Sequence, residues 1–98
     1  MKTIVCVNAS HPQHTPAGRI LYRMYYGDFL DQALVRNEYS GFPHNGGEHT
    51  LRLRMAPPDL KAFLALVEER FAPHPGAAEF CESVRKRFEH KYPRLARS

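Results

Sequence analysis

The apolar positions divide the chain into a strand, a middle that fits neither period well, a second strand and two helices. Residues 3–8, TIVCVN, are rich in β-branched side chains and apolar on both faces, which predicts a strand inside a small sheet rather than at its edge. Residues 48–56, EHTLRLRMA, alternate cleanly: His49, Leu51, Leu53 and Met55 point one way, Thr50, Arg52 and Arg54 the other. Pro57 and Pro58 end that strand, and Pro58 with Asp59 suits the first turn of a helix over 59–71. Leu60, Phe63, Leu64, Val67 and Phe71 make its buried stripe, each worth about 1.5–3 kcal/mol when fully covered. After Ala72-Pro73-His74-Pro75-Gly76, a last helix is predicted over about 77–91, with Ala77, Phe80, Cys81, Val84 and Phe88 on its packed face. Pro93 closes it.

The segments between are less regular. Residues 9–18, ASHPQHTPAG, hold two prolines, Gly18 and small polar side chains, and are expected to be loop. Over 19–26, RILYRMYY, Leu21, Met24 and Tyr25 share a helical face, yet the aromatic and branched content leans to strand. Gly27-Asp28 reverses the favoured hairpin dipeptide, and the spacing of Leu30, Ala33, Leu34 and Asn37 predicts helix over 28–37. Residues 39–47, YSGFPHNGG, with three glycines and a proline, are expected to be loop. The expected fold is α+β over a single domain, 1–98: a small sheet with two C-terminal helices on one face.

Composition adds limits. An apolar fraction of 43% supports one modest core, and the longest apolar run, Ile4–Val7, is too short to span a membrane. No secretory leader is legible, so a cytoplasmic location is expected. The two cysteines, Cys6 and Cys81, fall in apolar settings and are expected to be buried thiols rather than a disulfide. A chain of 98 residues buries limited area, which leaves room for a homodimer.

Charge is the most asymmetric property. Residues 85–98 hold six Lys/Arg against one Glu, net +5, while the remainder is net −1. Arg85, Lys86, Arg87, Lys91, Arg94 and Arg97, with Arg52 and Arg54 on the outer face of a strand, form a candidate nucleic-acid-binding set that would contact backbone phosphates. An acidic protein surface needs the same electrostatics. The sequence shows no zinc-finger, phosphate-loop, helix-turn-helix or aromatic RNA-binding signature. The first expectation is therefore a small accessory or regulatory protein that docks on nucleic acid or a nucleoprotein assembly through a basic surface.

Two alternatives rest on other residues. Tyr22, Tyr25, Tyr26 and Phe29 would make an aromatic partner surface for a protein–protein module or inhibitor. His11, His14, His44 and His49 fall near loops and are candidate metal ligands of a small metal-dependent enzyme, with Glu48 as base or ligand, although their spacing matches no standard zinc pattern. Ser10 beside His11 and His14, and Asp28 three before Asp31, are the nearest approach to catalytic groupings; neither spacing supplies an orienting partner, and no catalytic residue or cofactor is assigned.

Overall fold

A computed structural model describes residues 3–27, 29, 38–45 and 47–97, the segment 38–45 by its backbone. The elements run β1 (Val5–Pro12), α1 (Pro16–Tyr26), β2 (Glu38–Asn45), β3 (Glu48–Met55), α2 (Pro57–Arg70), α3 (Pro75–Lys91) and the short α4 (Pro93–Ala96). The architecture is α+β, as the sequence leads one to expect. Among the described residues the sheet is antiparallel with strand order β1-β3-β2. Val5 pairs with Met55, and the register runs through to Pro12 opposite Glu48.

One face of the sheet is the floor of the core. Val5, Val7 and Ala9 of β1 and Leu51, Leu53 and Met55 of β3 are at most 2% exposed. Onto them pack Phe63 and Val67 of α2 and Phe80, Val84 and Phe88 of α3. The sequence names two helices for this face; α1 is a third, burying Ala17, Ile20, Leu21 and Met24 against both strands and α3. The opposite face, which carries Asn8, Arg52 and Arg54, is exposed.

Four local expectations are corrected, each for a physical reason. β1 is an edge strand, pairing only with β3 among the described residues. Its even-numbered residues face away from the helices, and the apolar run is continuous only because Ile4 and Cys6 sit on that outer side, with Ile4 47% exposed. Residues 9–12 extend β1, because Pro12 lies where a missing N–H points off the open edge. Residues 16–26 are helix, because Pro16 takes the first helical position and Thr15 Oγ1 caps the turn by accepting from the Gly18 N–H at 3.1 Å. Residues 38–45 are strand, with the register shift of a bulge between Phe42 and Asn45 accommodating Pro43. The β2–β3 turn uses Gly47 at φ 81°, a left-handed conformation suited to glycine. The helix expected over 28–37 lies outside the described residues except at Phe29.

Candidate functional site

Helix α3 divides its side chains by period. Ala77, Phe80, Cys81, Val84 and Phe88 are buried, so the intervening positions of its second half stand outward. Lys86, Arg87, His90 and Lys91 then face the outer half of β1. Together with Cys6, Val7 and Asn8 they line an open cleft of about 690 Å³.

The C-terminal end of α3 is tied to the strand edge. Tyr92 Oη accepts from the Cys6 N–H at 3.0 Å, and Lys91 Nζ donates to the Cys6 carbonyl at 2.9 Å. Both backbone groups of Cys6 therefore point off the sheet, and by the two-residue period so do those of Asn8 and Ser10. Lys91 and Tyr92 satisfy the edge at one end, and at the other the Pro12 carbonyl is taken by Thr15. None of these roles is readable from spacing alone, because Cys6 lies 85 residues from Lys91. The one local hint is the Tyr92-Pro93 break that turns the chain just after the helix.

The basic candidates separate into four groups. Lys86, Arg87 and Lys91 line the cleft; Lys86 also lies 3.9 Å from Glu82 in a solvated pair of little energetic consequence. Arg85 is diverted: it points toward α2 and donates to Glu68 at 2.9 Å. Beside Leu60, Leu64 and Phe88 it lines a separate, smaller cleft. Arg52 and Arg54 are exposed on the outer face of β3, opposite Asn8 and Cys6 respectively. β1 thus stands between them and α3, and its outward positions join the helix cations to the strand arginines around the sheet edge. Arg94, on α4, and Arg97 are exposed beyond the end of the cleft.

Among the described residues the histidines form no common cluster. His11 and His49 are partners across β1 and β3, but they serve different helices. His11 Nε2 lies 2.9 Å from Ser83 Oγ, which itself donates to the Phe80 carbonyl at 2.8 Å, so the imidazole is the donor to Ser83. Burial pushes its pKa below the ordinary histidine value; Glu79 opposes this, Arg87 adds to it, and Glu48 opposes it. His49, 3% exposed, lies under Tyr22 with ring centroids 5.8 Å apart. His14 is exposed in the turn after β1, and the side chain of His44 lies outside the described residues. No group of three His, Cys, Asp or Glu able to hold a metal occurs among the described residues. Ser10 donates to Glu48 at 2.7 Å on the outer face, whereas His11 points inward, so strand alternation separates the suggested nucleophile from its base. Asp28 and Asp31 lie outside the described residues.

The aromatic set also divides. Phe29 is 3% exposed and packs on Phe63 and Phe71, which makes it core. Tyr25 is half-buried against the core, and burial together with Tyr26 raises its phenol pKa. Tyr22 and Tyr26 remain outside, 48% and 61% exposed, their rings 4.6 Å apart.

Cys6 and Cys81 are free thiols; Cys81 is buried, and burial with the Glu68 charge pushes its pKa up to about 12. No helix among the described residues is long and apolar enough to cross a membrane. Comparison with known proteins returns no matching family model, no matching curated protein and no matching solved structure.

Proposed function

We propose that the chain is a small nucleic-acid-binding accessory protein. Its cleft between α3 and β1, continued by Arg52 and Arg54 on the open sheet face, holds the sugar–phosphate backbone. The observation that carries this reading is one basic surface built from distant parts of the sequence: Lys86, Arg87, His90 and Lys91 across the cleft from Cys6 and Asn8, whose partners on β3 are Arg54 and Arg52. Separated cations along a groove suit a chain of phosphates, which supplies affinity without sequence reading.

Charge variants test this. Arg87→Glu is expected to weaken binding of a generic oligonucleotide about tenfold or more at low salt, while Arg85→Ala leaves it within about twofold because Arg85 is engaged by Glu68. Equal effects of the two would remove the cleft from the interface.

A second reading, an acidic protein partner, is favoured by the edge itself. The outward backbone groups of Asn8 and Ser10 lie between the Tyr92/Lys91 cap and Pro12, in a stretch unpaired among the described residues and of a length suited to strand addition. Asn8→Pro, which removes an outward N–H and no charge, would abolish capture of an extended acidic peptide yet leave oligonucleotide binding intact.

A further inference from the structure

Beyond the basic cleft, the turn after β1 and the exposed side of α1 enclose a second open cleft of about 650 Å³, lined by Gln13, His14, Arg19, Tyr22, Arg23 and His49. Its size is within the range of about 300–1,000 Å³ usual for small-ligand sites. We propose that it is a stacking site for one unpaired nucleotide of a single strand, the base lying against Tyr22 and the phosphate between Arg19 and Arg23. The inference rests on the nucleic-acid reading above and adds to it a preference for single strands.

Three observations support it. Tyr22 is half-exposed but held by two ring contacts, with the buried His49 centroid at 5.8 Å and the Tyr26 centroid at 4.6 Å, both tilted. A ring restrained in this way offers a π surface without first having to be ordered, and stacking on such surfaces is tolerant of base identity. Next, Arg19 and Arg23 stand one helical turn apart on α1, both exposed, and line the same cleft as Tyr22. Like charges at this spacing oppose helix formation, and α1 contains no carboxylate to relieve them. An anion does relieve them. Finally, among the described residues the cleft lining contains no acidic side chain, so its polar groups favour one sign of ligand charge, while Tyr22 supplies the apolar contact that a bare phosphate would not use.

A duplex keeps its bases stacked on each other and cannot use Tyr22, whereas the backbone cleft at α3 accepts either form. Fluorescence anisotropy at one ionic strength, with a labelled oligothymidylate and a labelled blunt-ended two-strand duplex of equal length, reads the difference. Wild type is expected to favour the single strand. Tyr22→Leu is expected to lose about 5- to 100-fold on the single strand and nothing on the duplex, and Tyr22→Phe to retain wild-type affinity, which separates ring loss from misfolding. Tyr22→Leu losing equally on both probes, or on neither, overturns the stacking site while leaving the nucleic-acid reading standing. Wild type binding neither probe overturns both. Competition by inorganic phosphate as effective as by thymidine monophosphate would reduce the site to an anion pocket and also overturn the proposal.

Discussion

At the scale of single residues, burial sets the chemistry more than sequence neighbours do. His11 donates to Ser83 beside Phe80, and its folded pKa lies below the unfolded value. The neutral form is therefore preferred in the folded state. Its contribution to stability is present above the ordinary histidine pKa and is lost as pH falls through the lowered one. His11→Gln is expected to flatten the acid side of the stability–pH curve below about pH 6.5, measured by denaturant unfolding at stepped pH. Cys81 has the opposite sign. Its raised pKa holds the neutral thiol, so its contribution is intact below the ordinary thiol value and is lost as pH climbs toward about 12. A thiol reagent at neutral pH is expected to modify Cys6 in the native protein and Cys81 only with unfolding. Alternation in 48–56 made His49 readable as a buried residue. His11 was not readable, because its partner Ser83 is 72 residues away.

At the scale of elements, prolines and glycines misled where they mark boundaries and close contacts rather than irregularity. Pro12, Pro16 and Pro43 sit at a strand end, a first helical turn and a bulge, which are the places where a missing N–H costs little. Gly76 opens α3 directly against the Pro16 carbonyl of α1, with no room for a Cβ. Gly76→Ala is expected to cost about 1–3 kcal/mol through overpacking, a fall of several degrees in Tm. Tyr92→Phe removes the hydroxyl that accepts from Cys6 and leaves an edge N–H to water; a loss of about 1 kcal/mol is expected, read as a shift in the denaturant midpoint. The regular stretches, β3, α2 and α3, were legible because a single period runs through each and their buried positions match it.

For the whole molecule, three of the described helices pack on one side of a small sheet, and among the described residues the other side and one strand edge stay open, in a body with a radius of gyration of 12.7 Å, as expected for about 100 residues. The excess of positive charge near the C-terminus was plain from composition. Which cations remain available was not, since that depends on Glu68 meeting Arg85 and on Cys6 receiving Lys91. The basic cleft at α3 therefore rests on fewer side chains than the sequence suggests, chiefly Lys86 and Arg87, with Lys91 held on the Cys6 carbonyl and Arg52 and Arg54 on the outer face around the edge.

The salt dependence of oligonucleotide affinity tests that claim most directly. With about four phosphates neutralised, a plot of log affinity against log salt is expected to fall with a slope of about −3, and Lys86→Ala with Arg87→Ala should bring it closer to zero by about 1–2. A slope near zero, or one unchanged in the double variant, would contradict a nucleic-acid interface in this cleft.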